Sequence, residues 1–210
     1  MALFSGSGVA LVTPFTEDGV DFELLDTLLE RQLAAGTDAL IVLGTTGEPC
    51  TMTQTERFDV IRFAVERVRG RAPVIAGAGA NDTRETIARC RMAREAGADA
   101  LLVVTPYYNK ATQDGLVAHF EAAAKSVDIP LILYNVPSRT GLNMLPETVA
   151  RLAKHPRIQG FKEASTSIAQ LSEAARLCQG DLRVYAGNDD MALAALSVGA
   201  SGVISVTANV

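Results

Sequence analysis

The 210-residue sequence contains no tryptophan, and only 5% of its residues are aromatic. Its three cysteines, Cys50, Cys90 and Cys178, are far apart and include no C-x-x-C pair, and it has only two histidines, His119 and His155. An odd number of scattered cysteines argues against a disulfide framework, and the shortage of ligands argues against a zinc site. We therefore expect no bound metal, a reducing cytoplasm as the location, and both histidines at the surface.

The sequence also lacks a long apolar run and an excess of basic residues. No run reaches the roughly 18 apolar residues of a membrane span, and the N-terminus has no charged segment followed by an apolar one, so we expect no signal peptide. The net charge of −5 and the pI near 5.1 argue against nucleic acid as a partner. With 48% hydrophobic and 20% charged residues, the composition is typical of one globular domain over residues 1–210.

Short apolar runs alternate with amphipathic segments along the whole chain. Alternation of this kind predicts a parallel sheet with helical crossovers, and eight strands match a (β/α)8 TIM barrel. The alternative is an open doubly wound sheet, but residues 77–82 (GAGAND) carry only part of its glycine fingerprint. The predicted strands are 8–15, 38–44, 73–79, 99–106, 130–137, 158–162, 182–187 and 202–206, and the predicted helices are 21–35, 53–69, 82–96, 113–126, 146–154, 167–178 and 189–198.

The eighth predicted strand is followed by only four residues. Such barrels normally span about 250 residues and end in an eighth helix, so we expect a barrel that lacks this helix. Apolar positions outside the first, seventh and eighth strands would then be uncovered, and exposed apolar patches indicate association. We therefore expect self-association.

Lys162 directly follows a short apolar run at the predicted end of the sixth strand. Burial disfavours an ammonium ion and lowers the pKa of a lysine, and a neutral amine forms a Schiff base with a carbonyl substrate. The alternative is that Lys162 only marks where a strand reaches solvent. Catalytic residues of a barrel lie at the carboxyl ends of its strands, so the other strand ends bear on this choice.

Two further strand ends carry four residues that suit such a lysine. The hydroxyls of Thr45 and Thr46 can hold a carboxylate, Tyr134 can carry protons if a hydroxyl relays them, and Arg139 can bind a second acidic substrate. Each has a plainer interpretation: caps of a turn, a core aromatic residue and a solvated loop charge. Their convergence on one barrel mouth with Lys162 favours the catalytic interpretation.

Five segments together resemble the dihydrodipicolinate synthase family, within the class I, pyruvate-dependent aldolase and lyase superfamily. They are GTTGE at 44–48, TPYYNK at 105–110, YNVPSRTG at 134–141, GFKEAS at 160–165 and GVISVTANV at 202–210. The resemblance implies condensation of pyruvate with L-aspartate 4-semialdehyde to 4-hydroxy-tetrahydrodipicolinate, in the diaminopimelate route to lysine. It implies no cofactor, because pyruvate is held covalently as a Schiff base on Lys162.

The resemblance also implies roles for individual residues. Tyr134 would be the central proton carrier, relayed through Thr45 to Tyr108, which in the family reaches over from a neighbouring subunit of a homo-oligomer, a dimer or tetramer. Thr46 would hold the pyruvate carboxylate. Among the remaining positions, Arg139 would bind the carboxylate of the semialdehyde and position Tyr134, and Gly187 and the backbone of Ile204 would line the site.

The sequence departs from the family in two respects. The family continues into an eighth helix and a C-terminal helical domain, and here Ile204 lies six residues from the end of the sequence, where a chain tends to fray. We therefore expect a loose floor of the site. At the position of the family's lysine effector site, Asn81, Glu85 and Tyr107 are retained, but Pro49, Gln54 and Arg57 differ from the inhibited pattern, so we expect no feedback by lysine.

Two rival functions stay open at this point. One is another enzyme of the superfamily, an N-acetylneuraminate lyase or a sugar-acid aldolase, although Arg139 within SRTG favours the semialdehyde-using branch. The other is an impaired barrel that acts as a binding or regulatory subunit, which the shortened C-terminus suggests.

Overall fold

A computed structural model describes residues 3–178 and 180–210. The strands are β1 (Gly6–Ala10), β2 (Phe15–Thr16), β3 (Gly19–Val20), β4 (Ala39–Val42), β5 (Val74–Gly77), β6 (Ala100–Val104), β7 (Leu131–Asn135), β8 (Ile158–Glu163), β9 (Arg183–Ala186) and β10 (Gly202–Ser205). The helices are α1 (Phe22–Ala34), α2 (Gln54–Val68), α3 (Thr83–Glu95), α4 (Gln113–Lys125), α5 (Pro137–Thr140), α6 (Pro146–Leu152), α7 (Ile168–Cys178) and α8 (Ala192–Ser197).

Eight parallel strands form a closed barrel in the order β1-β10-β9-β8-β7-β6-β5-β4. The last strand pairs with the first, with Gly6 opposite Gly202 and Val9 opposite Ser205. A Cβ atom on Gly202 would lie 2.0 Å from the carbonyl oxygen of Gly6, so this junction closes only because glycine allows the two backbones to approach. The closure confirms the predicted (β/α)8 fold and excludes the open doubly wound sheet.

Two predicted helix starts are confirmed by their capping contacts. Thr53 and Glu56 form the predicted capping box of α2, and the side chain of Asp82 accepts hydrogen bonds from the backbone N–H groups of Arg84 and Glu85 at the start of α3. These side chains satisfy N–H groups that have no partner inside a helix. Helices with such signals begin within one residue of the predicted position.

Three local predictions are wrong. The first strand ends at Ala10 and not at Phe15, because the chain leaves the barrel there and Phe15 pairs with Val20 in the antiparallel β2–β3 hairpin. The short helix α5 follows β7 where a loop was expected, with Pro137 in its first turn and a left-handed Gly141 after its end. His119 is buried in α4, with Nδ1 2.9 Å from Oγ1 of Thr83, and burial lowers its pKa.

Alternation along each strand sorts the apolar side chains into two clusters. Leu133 and Phe161 face outwards and pack with the helices, whereas Ile132 and Tyr134 face inwards and pack inside the barrel. Residues with the same parity as Tyr134 on β7 and Lys162 on β8 therefore point into the barrel. This parity decides which polar residues at the strand ends reach the barrel mouth.

The segment after β10 is tied to the barrel. The side-chain amide of Asn209 donates to the carbonyl of Ala10 at 2.8 Å, and its oxygen accepts from the N–H of Val12 at 3.1 Å. Gln32 of α1 donates to the carbonyl of Ala208 at 2.6 Å. Ile204 itself is fully buried, and these contacts hold the segment that follows it. The looseness of the floor at this position stays a prediction.

Apolar residues are exposed on the outside of α8. Leu193 is 82% exposed and Leu196 is 52% exposed. They lie on the element that precedes β10, which is the region where the sequence predicts self-association, and that oligomerisation stays a prediction. Within residues 3–178 and 180–210, no helix is both long and apolar enough to cross a membrane.

Candidate active site

A cavity of about 490 Å³ opens at the carboxyl ends of the barrel strands, which is where barrels of this kind carry their chemistry. Polar side chains from four strand ends, those of β4, β7, β8 and β9, surround it. Its lining residues include Thr45, Thr46, Tyr134, Ser138, Arg139, Lys162, Thr166, Gly187, Asn188, Asp189, Asp190 and Val206. Five of the residues predicted from the strand ends, with Lys162 among them, thus share one cavity.

Lys162 lies at the bottom of this cavity and is 4% exposed. It is paired with Tyr134 on β7 and with Tyr185 on β9, and its Nζ lies 4.4 Å from the centre of the Tyr134 ring. Burial lowers the pKa of Lys162 to about 8, which the charge of Asp189 opposes and that of Arg139 reinforces. An appreciable fraction of this amine is therefore a neutral nucleophile near pH 7.

Gly187 makes room for the lysine side chain. A Cβ atom at this position would lie 3.0 Å from Cε of Lys162 and 2.6 Å from Cβ of Ala164. The backbone N–H of Gly187 donates to the carbonyl of Glu163 at 2.7 Å. A side chain here would clash with Ala164 and press against Lys162, so glycine is required by close packing and not by its backbone angles.

Tyr134 is 6% exposed and lines the cavity. Burial raises the pKa of Tyr134, while the Thr45 hydroxyl beside the phenol and the charge of Arg139 oppose the rise. The phenol is therefore protonated near neutral pH and has a hydroxyl neighbour. A protonated phenol next to a buried amine and a second hydroxyl can donate and recover a proton.

Thr45 and Thr46 belong to a 3-10 turn, Thr45–Gly47, directly after β4. The chain enters this turn through Leu43, which has a left-handed backbone at φ +55° although it is not glycine. Such a conformation costs of order 1–3 kcal/mol and persists only where the surroundings enforce it. The hydroxyl of Thr13 donates to the carbonyl of Gly47 at 2.9 Å, and this contact helps to hold the turn over the cavity.

Arg139 lies in α5, the short helix missed from the sequence, and its side chain lines the cavity. The residue is exposed, and its charge lowers the pKa of both Tyr134 and Lys162. An exposed guanidinium at a cavity mouth is suited to receive a carboxylate from solvent.

Two predicted site residues lie outside the cavity. Tyr108 is 88% exposed on the loop after β6, with a left-handed backbone at φ +76°. Ile204 is packed inside the barrel with Tyr134, and Val206 forms the cavity wall on that side. Within the described chain, Tyr108 therefore does not contact its own cavity.

Asp189 is a cavity residue that the sequence analysis did not select. Its Oδ2 accepts hydrogen bonds from the backbone N–H groups of Val206 and Thr207 at 3.1 and 3.2 Å. Burial alone would raise the pKa of Asp189, but these bonds and one from Ser205 lower it overall. Asp189 is thus the carboxylate that opposes the fall in the pKa of Lys162. Its position two residues after a predicted strand was the available signal.

The three residues assigned to an effector site lie on the other side of the Tyr134–Arg139 wall. Tyr107 lines a second cavity of about 540 Å³ together with Arg57 and Arg89. Glu85 forms an ion pair with Arg89, with 2.8 Å between Oε1 and Nε, and the carbonyl of Asn81 accepts from the side chain of Asn109. Glu85 and Asn81 do not line this cavity.

Arg57 is the main departure in this second cavity. It is buried, and its Nε and one terminal nitrogen donate to the carbonyl of Pro49 at 2.9 and 2.5 Å. Burial lowers the pKa of Arg57, and the neighbouring charge of Arg89 lowers it further. Two guanidinium groups in one cavity disfavour a third cation.

Comparisons with known proteins agree on one family. Residues 3–210 match the sequence profile of the dihydrodipicolinate synthetase family. The chain is 57% identical to the 4-hydroxy-tetrahydrodipicolinate synthase of a Thermoanaerobacter species over 211 aligned residues, which are 100% of this chain and 71% of that protein.

Two solved structures are similar over nearly the whole chain. One is a monomeric dihydrodipicolinate synthase variant, with a TM-score of 0.97 and 44% identity over 99% of this chain and 70% of that one. The other is the Acinetobacter baumannii dihydrodipicolinate synthase in complex with pyruvate, with a TM-score of 0.95 and 45% identity over 98% of this chain and 71% of that one.

Proposed function

The chain belongs to the dihydrodipicolinate synthetase family, and on that premise we propose that Lys162 carries out its chemistry as a Schiff-base former. The activity is that of a lyase that condenses pyruvate with L-aspartate 4-semialdehyde to give 4-hydroxy-tetrahydrodipicolinate. The observation that supports the role of Lys162 most directly is its buried amine, 4.4 Å from the Tyr134 ring in the barrel-mouth cavity. The sugar-acid aldolases and the regulatory barrel are not favoured by the relatives.

In the first half of the reaction, the neutral Nζ of Lys162 attacks the C2 carbonyl of pyruvate. A bond forms between nitrogen and C2, the carbonyl oxygen leaves as water, and an imine results. Tyr134 donates the proton that this oxygen needs to leave. The hydroxyl of Thr46, in the turn after β4, donates a hydrogen bond to the pyruvate carboxylate. Loss of a proton from the methyl carbon then converts the imine to an enamine. No metal or organic cofactor enters this proposal.

In the second half, the enamine carbon attacks the aldehyde of the semialdehyde and a carbon–carbon bond forms. The amino group of the semialdehyde then replaces Nζ of Lys162 at C2, which closes the ring and frees the lysine. Condensation of the two substrates thus releases one water in total. Arg139 receives the carboxylate of the incoming semialdehyde, because it is the exposed guanidinium at the cavity mouth.

In this proposal, protons are transferred between Tyr134 and Tyr108 through the hydroxyl of Thr45. Thr45 lies beside the Tyr134 phenol, but Tyr108 does not line its own cavity and is 88% exposed. Tyr108 would therefore act in the cavity of a second copy of the chain, in a homo-oligomer. The oligomer, the cytoplasmic location and the absence of lysine feedback stay predictions.

Substrate comparison tests the proposed function. The chain is expected to trap pyruvate on Lys162 when borohydride reduces the imine, detected as one modified peptide by mass spectrometry, and to turn over pyruvate with the semialdehyde. N-acetylneuraminate serves as the control substrate and is expected to give no turnover. Turnover of the sugar alone would contradict the proposal. Trapping without any product from the semialdehyde would restrict the proposal to its first half.

The rate of pyruvate trapping is expected to rise with pH and to level off above pH 8. The pKa of Lys162 is lowered to about 8, so the nucleophilic form is the minor one below that pH and the major one above it. About one tenth of the amine is neutral at pH 7, compared with about one in 2,500 for a lysine of ordinary pKa. The initial trapping rate between pH 6 and pH 10 measures this midpoint, and a rate that still rises tenfold per unit above pH 9 would show that Lys162 is not desolvated.

A further inference from the structure

A cluster of buried amide and carboxylate groups lies on the outer side of the barrel wall, directly behind the Lys162–Tyr134 pair. Asn135 and Glu163 are the next residues along β7 and β8, and they pair with each other in the strand register as Tyr134 and Lys162 do. Successive residues of a strand face opposite sides of a sheet. Asn135 and Glu163 therefore face the helices, and neither lines the cavity.

Glu163 is the centre of this cluster and is 2% exposed. Of the buried polar side chains in residues 3–178 and 180–210, it is the only carboxylate. Its Oε1 accepts from the backbone N–H of Ser165 at 2.6 Å, and its Oε2 accepts from Nε2 of Gln170 at 2.8 Å. The Nδ2 group of Asn135 lies 3.2 Å from both oxygens. Every donor around Glu163 thus points at the carboxylate.

The same cluster connects two further elements to the paired residues Asn135 on β7 and Glu163 on β8. Nδ2 of Asn135 also lies 2.8 Å from Oδ1 of Asn143, and Oδ1 of Asn135 accepts from the backbone N–H of Met144 at 3.0 Å. Asn143 in turn exchanges hydrogen bonds with Gln170 of α7 at 2.8 and 3.0 Å. The loop before α6 and the first turn of α7 are therefore hydrogen-bonded to the Asn135–Glu163 pair, which lies next to the Schiff-base lysine along the strands.

A purely structural role does not require a charge at this position. The outward-facing residues just before Asn135 and Glu163 on the two strands are apolar, namely Leu133 and Phe161. Burying a carboxylate is unfavourable until hydrogen bonds offset its lost hydration. A fully satisfied polar network, however, holds its members in one arrangement, whereas apolar packing tolerates sliding. The buried carboxylate of Glu163 lies directly beside Lys162 and Tyr134, and the proposed chemistry depends on the distance between those two side chains.

We propose that Glu163 is a positioning residue, which clamps β7 to β8 through Asn135 and so keeps Nζ of Lys162 in reach of Tyr134. The inference rests on the proposed function, because it assigns an effect on the Schiff-base step. Glu163 does not touch substrate. It acts by preventing the strands that carry Lys162 and Tyr134 from shifting relative to each other.

The variant Glu163→Gln tests this proposal, because it keeps the shape of the side chain and replaces one acceptor oxygen by a donor. That donor faces either Ser165 or Gln170, which are donors themselves, so the clamp loosens. The maximal rate of pyruvate trapping is expected to fall by about tenfold, since a displacement of about 1 Å costs on the order of 100-fold. The pyruvate concentration at half-maximal rate is expected to change less than about twofold, because Thr46 is untouched.

The pH profile separates positioning from an electrostatic role. The charges that shift the pKa of Lys162 are those of Asp189 and Arg139, so the midpoint near pH 8 is expected to stay in Glu163→Gln while the plateau falls. A midpoint moved by about one unit or more would overturn the positioning role in favour of a charge effect.

Asp99→Asn is the matched control. Its Oδ2 accepts from the backbone N–H of Val74 at 2.9 Å, so the same carboxylate-to-amide change falls between neighbouring strands at the other end of the barrel. Asp99→Asn is expected to trap pyruvate at the wild-type rate. Equal losses of rate in the two variants, or a wild-type rate in folded Glu163→Gln, would overturn the proposal.

A milder variant covers the case in which Glu163→Gln does not fold. Gln170→Met removes one donor from Glu163 and keeps the length of the side chain, and about a threefold fall in the same plateau is expected. A wild-type plateau in this variant would equally contradict the clamp. Failure of the wild-type chain to trap pyruvate at all would be a failure of the proposed function and not of the clamp.

Discussion

Replacing Lys162 by alanine is expected to abolish pyruvate trapping completely and to leave the chain folded. The imine needs a nitrogen nucleophile, and among residues 3–178 and 180–210 the only amine in the cavity lining is Nζ of Lys162. Borohydride trapping followed by peptide mass spectrometry measures the effect, with the wild-type chain as reference. A residual adduct on any other lysine at more than a trace level would mean that the Schiff base forms elsewhere.

Lys162→Met is the matched control for folding, because methionine occupies the same buried space as the lysine side chain and carries no amine. A pKa lowered from 10.5 to about 8 means that keeping this ammonium buried costs about 3 kcal/mol. The cost is fully present below pH 8 and disappears as the pH rises through the unfolded pKa. Lys162→Met is therefore expected to unfold at higher denaturant concentration than the wild type at pH 7, with a difference that shrinks by pH 10. A lower stability at pH 7 would show that the burial penalty is not present.

Replacing Tyr134 by phenylalanine is expected to slow imine formation about 100-fold, the lower end of what a positioned proton donor contributes. The ring still packs beside Nζ of Lys162 and inside the barrel, so only the proton-carrying hydroxyl is lost. The time course of trapping with excess pyruvate gives the rate. An unchanged rate would remove Tyr134 from the proton relay.

Tyr185→Phe is the matched control for this variant. Tyr185 is fully buried on β9, and its hydroxyl donates to the carbonyl of Phe4 at 2.8 Å, away from the cavity. Loss of this hydroxyl leaves a buried acceptor without a partner, so a destabilisation of about 1–3 kcal/mol is expected. The trapping rate is expected to stay at the wild-type value. A similar loss of rate in both variants would indicate that Tyr134 acts only through packing.

The order of the strands and helices could be predicted from the sequence because local physics sets it. Short continuous apolar runs that end at glycine or proline indicate buried strands. Thr53 with Glu56, or Asp82, marks a helix start through contacts two or three residues apart. Lys162, Tyr134 and the threonines were found for the same reason, since each lies directly after such a run. The prediction failed for α5 and for the β2–β3 hairpin, because elements of four and two residues are too short to show a periodic pattern.

The tertiary structure decided what depends on distance and burial. A sequence cannot tell which of two adjacent polar residues at a strand end points into the barrel, because that parity is set by the pairing of β7 with β8. It therefore could not separate Lys162 in the cavity from Glu163 in the outer cluster. It also could not show that Asp189 opposes the burial of Lys162, since these residues meet only when the barrel closes. The sequence by itself determined the fold and selected Lys162 as the candidate lysine, and the closed barrel decided the burial that lowers the pKa of its amine.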